Sequence, residues 1–211
     1  EELCQAARNI GLTSIELTGP DEWPVLKKYD LTSAMPNGAG MGIEKGFNNP
    51  QYHDELVASF EGIIPKVAHA GLKQIICFSG NRNGLDDEQG IDNCAKGLKR
   101  LMPIAEKHKV TVVMELLNSK VNHKDYQCDK TPWGVALCEK IGSENFKLLY
   151  DIYHMQIMEG DVIATIRKYH PYISHYHTGG VPGRNEIDET QELNYPAIMK
   201  AIVDTGFKGY V

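Results

Sequence analysis

Three ionisable residues each close an apolar run. Glu115 follows Val-Thr-Val-Val-Met, Asp151 follows Phe-Lys-Leu-Leu-Tyr, and His177 follows Tyr-Ile-Ser-His-Tyr. A carboxylate buried without a partner costs several kcal/mol or stays protonated, so two of them beside an imidazole imply a shared cation. An oxygen-rich donor set with one nitrogen favours Mg²⁺ or Mn²⁺, with Zn²⁺ or Co²⁺ as the alternatives. For any one of these residues a structural polar pairing is the better reading. Three at the ends of consecutive predicted strands shift the balance to a metal centre.

The elements that must carry these residues follow from the hydrophobic period. Short β-rich runs alternate with amphipathic helical patterns, the signature of βα units and a parallel sheet. The strand candidates are Thr13–Leu17, a weak one at Leu31–Met35, Gln74–Phe78, Val110–Leu116, Phe146–Asp151, Tyr172–His177 and the closing Gly209–Val211. Between them, Leu56, Phe60, Ile63, Val67 and Ala70, and then Cys94, Leu98, Leu101 and Ile104, recur at helical spacing. Asp161 and Asn194 stand where capping residues open helices, and Gly11, Gly71, Gly142 and Gly206 where helices stop.

Seven strand candidates exceed the five or six of a simple open doubly wound sheet and fit a (β/α)₈ TIM barrel better. Such barrels need about 250 residues. This chain has 211, opens on a helical segment (Glu2 to Ile10) and stops on the first residues of a strand. The expectation is one domain over residues 1–211 that lacks the first strand and the end of the eighth βα unit. In a parallel barrel the chemistry sits at the carboxyl ends of the strands, where Glu115, Asp151 and His177 fall. A fourth ligand is expected on the eighth strand, beyond Val211.

Composition removes several function classes. With 22 basic and 28 acidic residues the formal charge is −6, which disfavours a dedicated nucleic-acid binder or an anionic membrane surface. No apolar run approaches the roughly 18 residues of a membrane span. The five cysteines contain no CxxC pair and read as reduced, which suits a cytoplasmic setting; a removed leader is left open. Walker, dinucleotide and nucleophile-elbow motifs are absent.

The stretches Met114-Glu115-Leu116-Leu117-Asn118, Asp151-Ile152-Tyr153-His154, and His175-Tyr176-His177 with Val181-Pro182-Gly183-Arg184-Asn185-Glu186 together resemble the xylose isomerase-like TIM barrels. Within them the likeness is closest to the hydroxypyruvate isomerase and sugar isomerase and epimerase group; Cys77-Phe78-Ser79-Gly80-Asn81-Arg82 is similar too. The resemblance implies that Glu115, Asp151 and His177 are metal ligands, that Glu115 is also the catalytic base, that His154 contacts a substrate oxygen and that Arg184 helps bind substrate. The family's fourth ligand, a Glu on the eighth strand, is not in this sequence.

The implied activity is a divalent-metal-dependent isomerisation of an adjacent hydroxy/carbonyl pair through an enediolate, from hydroxypyruvate to tartronate semialdehyde or on a related small sugar. A base removes the proton next to the carbonyl, and a divalent ion supplies the charge that stabilises the result. Two departures bear on substrate. His177 occupies a position where hydroxypyruvate isomerases often carry Gln and ketose epimerases carry His. Val121 stands where the epimerases place a second Glu. A ketose 3-epimerase is therefore the alternative, followed by an apurinic-site endonuclease-like or a catalytically inactive barrel. The expected partner is a small hydroxy-carbonyl or sugar substrate, with a homo-oligomer left open and neither nucleic acid nor membrane expected.

Other residues carry weaker cases. Arg82, in the turn after Phe78, suits an anionic substrate as well as it suits a solvated loop charge. His175 shares a strand face with His177 and reads as a supporting partner or an inner barrel residue. Glu16 ends the first visible strand, with a structural hydrogen bond at least as probable as a site role. His53 and His123 lie in loops with no spacing that singles them out, and His69, His108 and His170 read as helix-surface residues. The polar stretch from Asn118 to Pro132 suits a lid over the site.

Overall fold

The computed structural model describes residues 1–211. Six short parallel strands alternate with helices in the expected order: α1 (Glu2–Asn9), β1 (Ser14–Ile15), α2 (Trp23–Lys28), β2 (Thr32–Ser33), α3 (His53–His69), β3 (Gln74–Cys77), α4 (Asp87–Leu98), α5 (Met102–His108), β4 (Thr111–Glu115), α6 (Thr131–Ile141), β5 (Phe146–Asp151), α7 (Ile152–Met158), α8 (Val162–Tyr169), β6 (Ile173–His177) and α9 (Tyr195–Asp204). β1 pairs with β2, and β3 to β6 pair in sequence order, every ladder parallel. The Ile76 amide donates to Pro36 O at 3.1 Å, so the two sheets meet along one side. This is the strand–helix alternation of a (β/α)₈ barrel. No helix is long and apolar enough to cross a membrane.

The register explains why the chemistry sits at one end. Side chains alternate across a strand. Val112, Met114, Leu148 and Tyr150 belong to the large core between strands and helices. The intervening Val113 and Leu149 turn inward, where with Met35 and Ile76 they form a separate buried cluster inside the barrel. Two residues further along the same faces come Glu115 and Asp151, and Asp151 pairs in register with His177. The apolar plug thus carries a polar layer directly above it.

Local sequence signals account for the ends of the elements. Asn194 caps α9 by accepting from the Ala197 amide at 3.3 Å, and Gly142 ends α6 at φ +72°. Pro103 lies in the first turn of α5, whereas Pro65 is inside α3.

Two expectations are corrected. Gly209–Val211 forms no strand; one hydrogen bond, from the Tyr176 amide to Tyr210 O at 3.4 Å, links it to β6. The stretch from Asn118 to Pro132 is not a free lid, because Tyr126, Gln127 and Cys128 are fully buried and α6 begins at Thr131. Tyr126 donates to Glu115 O at 2.9 Å, which fastens this stretch to the end of β4.

Candidate active site

The donor atoms of Glu115, Asp151 and His177 all lie within 4.8 Å of one another. His177 Nδ1 stands 3.1 Å from Glu115 Oε1 and 3.7 Å from Asp151 Oδ2. Asp151 is fully buried; its Oδ1 accepts from the His154 amide at 3.0 Å, so the carboxylate at the end of β5 also caps α7. Its Oδ2 accepts from Arg184 Nη2 at 2.7 Å. Above this group opens a cavity of about 390 Å³ whose walls include Glu16, Glu115, His123, His154, His177 and Arg184.

The electrostatics describe a site short of positive charge. Burial, then the Glu115 carboxylate, pushes Asp151 up to about 6, although Arg184 pulls the other way. Burial alone would lower the His177 imidazole, but its hydrogen bonds to Glu115 and Glu16, together with the negative charges of Glu115 and Asp151, outweigh that and raise it to about 10. Glu16 follows the same pattern in reverse, carried down to about 2 by His175 and His177 against its own burial. Without an ion, a protonated His177 and Arg184 are the charges left to offset three carboxylates. Two carboxylate oxygens and one imidazole nitrogen converging at this spacing, with the innermost carboxylate under-compensated, fit a divalent cation in donor chemistry.

His154 is contacted at both ring nitrogens. Asn118 Oδ1 accepts from the amides of Val121 and Asn122 at 3.0 and 2.9 Å, which fixes its amide orientation. Its Nδ2 therefore donates to Asn122 Oδ1 at 2.8 Å and to His154 Nδ1 at 2.6 Å. With Nδ1 accepting, neutral His154 carries its proton on Nε2. Burial, followed by Arg184, holds that imidazole far down, at about 2, so it stays neutral. Yet Nε2 faces Arg184 Nη1 at 2.6 Å. Two donors this close repel, so one must give way, and the freer partner is the half-exposed Arg184, in left-handed backbone at φ +59° and resting over the Tyr153 ring at 5.3 Å; with the guanidinium swung aside the pair would admit an acceptor between them.

The structure thus brings together Glu115, Asp151, His177, His154 and Arg184. It does not bring Arg82 to them. That guanidinium is tied to Asp87, to Asp129 at 3.1 Å and to Gln127 O at 3.2 Å, so its charge is already spent on neighbouring loops. His53 is likewise elsewhere, bonded to Phe47 O at 2.8 Å. His123, passed over for want of a spacing signal, packs edge-on to His154 with ring centroids 5.3 Å apart. Asn118 stands out in the sequence only as part of a motif, and its role as the anchor of His154 rests on backbone amides that no motif displays. Glu16 reaches His177 Nε2 at 3.4 Å and is a wall of the site.

Comparisons with known proteins bear on the family and the fold. The family model described as xylose isomerase-like TIM barrel matches residues 4–211. A putative hydroxypyruvate isomerase of Homo sapiens is 30% identical over 227 residues, covering 98% of this chain and 80% of that protein. Hydroxypyruvate isomerase of Escherichia coli is 28% identical over 158 residues, covering 72% of this chain and 59% of the enzyme. Among solved structures, an AP endonuclease of family 2 from Brucella melitensis superposes with a TM-score of 0.85 over 100% of this chain and 84% of its own, at 24% identity, a likeness of fold.

Proposed function

The chain belongs to the xylose isomerase-like TIM-barrel family, and on that premise we propose that it is a divalent-metal-dependent isomerase acting on hydroxypyruvate or a related small hydroxy-carbonyl compound. The isomerase class is that of its curated relatives. The observation that carries the reading is the convergence of Glu115, Asp151 and His177 beneath the facing donors of His154 and Arg184.

In this reading Glu115, Asp151 and His177 hold the ion, Mg²⁺ or Mn²⁺ by the oxygen-rich donor set, with Zn²⁺ or Co²⁺ as alternatives. The ion supplies a fixed positive charge that favours the electron-rich form of the substrate. The remaining steps belong to the chain. His154 Nε2–H and the Arg184 guanidinium seat a substrate oxygen or carboxylate between them, and the Tyr153 ring supports the guanidinium from behind. Glu115 takes the proton from the hydroxymethyl carbon of hydroxypyruvate, the proton on that carbon's hydroxyl passes to the former carbonyl oxygen, and the former carbonyl carbon receives a proton to give tartronate semialdehyde. Asp151, buried and capping α7, holds His154 in line.

A ketose 3-epimerase is the second reading, favoured by His177 at the third ligand position and opposed by Val121. Incubation in D₂O separates the two. The isomerase introduces deuterium at the carbon that was the carbonyl of hydroxypyruvate, whereas an epimerase labels only C3 of a ketose. Label confined to ketose C3, with hydroxypyruvate untouched, would replace the first reading with the second.

A further inference from the structure

A second polar cluster abuts the candidate metal group and shares His177 with it. Glu16, His175 and His177 bring donor atoms within 4.8 Å of one another, so on spacing alone they could also hold a cation. His175 is fully buried, its Nε2 3.3 Å from Glu16 Oε1 but off hydrogen-bond geometry and otherwise without a partner. Whether this cluster is a second ion site or a hydrogen-bonded support depends on which ring nitrogen of His175 carries the proton.

Gln74, buried at the start of β3, answers that. One amide atom touches both Ala34 O at 2.8 Å and His175 Nδ1 at 3.0 Å. A backbone carbonyl only accepts, so the atom against Ala34 O is the NH₂ nitrogen; the flipped amide would set oxygen against oxygen. That same NH₂ then donates its second proton to His175 Nδ1, which must accept. The neutral ring carries its hydrogen on Nε2, on the side of the Glu16 carboxylate 3.3 Å away, and has no lone pair there for a cation. Glu16 turns its other oxygen to His177 Nε2 at 3.4 Å.

We infer that Gln74 is a positioning residue: it fixes His175 as the Nε2–H form, so that Ala34, Gln74, His175, Glu16 and His177 make one support running up the barrel interior and not a second metal site. The ring form follows from these contacts alone, and the cation count rests on the metal-centre reading above. Gln74→Glu places an acceptor beside Nδ1, drawing the hydrogen there and freeing the Nε2 lone pair. Gln74→Leu removes the donor without supplying an acceptor.

Two-bond proton–nitrogen correlation spectra of ¹⁵N-histidine-labelled full-length protein report the ring form directly, and a titration with Zn²⁺ counts ions. The wild type is expected to show His175 protonated on Nε2 and to bind one Zn²⁺ per chain. Gln74→Glu should move the proton to Nδ1, and any second Zn²⁺ it then binds should be held weakly by His175 and Glu16 alone, since His177 has one lone pair and gives it to the first ion. Gln74→Leu should give both ring forms and weaken the first ion by on the order of 10–100-fold, as loss of an outer partner does. A wild-type His175 protonated on Nδ1, a second wild-type ion held by His175, or a ring form unmoved in both variants would overturn the inference. The expected ring form with no Zn²⁺ bound at all would support Gln74's role and count instead against the metal centre.

Discussion

Arg184 Nη2 lies 2.7 Å from Asp151 Oδ2, the carboxylate oxygen that also stands 3.7 Å from His177 Nδ1. The pair is unequal, since Asp151 is fully buried and the Arg184 side chain is 40% exposed. The carboxylate is fixed by the barrel, and the guanidinium is the part that can leave. On the proposed reading a cation and Arg184 would compete for one oxygen, and substrate entering between Arg184 and His154 would draw the guanidinium off it.

Asp151 should cost the metal-free chain stability. Its folded value, about 6, lies above the ordinary 3.8, so the cost is absent below about pH 4, grows between about pH 4 and 6, and is full above that. Asp151→Asn keeps an oxygen to cap α7. At pH 8 the metal-free variant is expected to melt at or above the wild-type temperature while ion binding falls at least 100-fold. A large drop in Tm together with normal ion affinity would contradict this.

His177 gives the opposite pH sign. Raised from 6.5 to about 10, it contributes stability that is full below about pH 6.5 and lost as pH rises through about 10. Its Nδ1 must lose a proton to accept a divalent ion. Ion binding measured by calorimetry in buffers of differing ionisation heat should release protons, and the apparent affinity should rise with pH by up to about tenfold per unit over pH 7–9. A pH-independent affinity with no proton release would remove His177 from the ligand set.

Arg184→Met removes one half of the donor cradle and releases Asp151 Oδ2 while leaving Glu115, Asp151 and His177 in place. KM for hydroxypyruvate is expected to rise about 10–100-fold, or about 1.4–2.8 kcal/mol of binding, with Mn²⁺ affinity at or above the wild-type value. Steady-state kinetics and a metal titration read the two effects separately.

Gly97 supplies a stability control remote from the site. A Cβ there would come within 2.8 Å of the His53 ring and 2.9 Å of Phe47, where α4 packs on α3. Gly97→Ala should destabilise by about 1–3 kcal/mol through overpacking, lowering Tm by several degrees in a thermal melt, with the affinity for the ion unchanged.

The three proposed ligands were legible because the residue closing a buried strand run in a parallel barrel faces the mouth, and their runs are long and apolar. His154 and Arg184 stood out through motif resemblance alone. Gln74 was invisible because its partner His175 lies 101 positions away, and such a contact exists only once β3 and β6 face each other across the barrel. Arg82 misled because its isolation in the sequence hides Asp87 and Asp129, which meet it only when the loops fold together. β1 and β2 extend over two residues each, less than their apolar runs suggested, and the run at Gly209 pairs through a single hydrogen bond.

The most direct test follows hydroxypyruvate conversion to tartronate semialdehyde by the full-length enzyme after chelation, after restoring Mg²⁺ or Mn²⁺, and in Glu115→Gln. Chelation should abolish turnover and either ion should restore it. Glu115→Gln, folded by thermal melt and circular dichroism, should lose at least about 10³-fold in kcat with excess ion present, the loss of a catalytic base in addition to a ligand. Turnover indifferent both to chelator and to Glu115→Gln would contradict the assignment of this site.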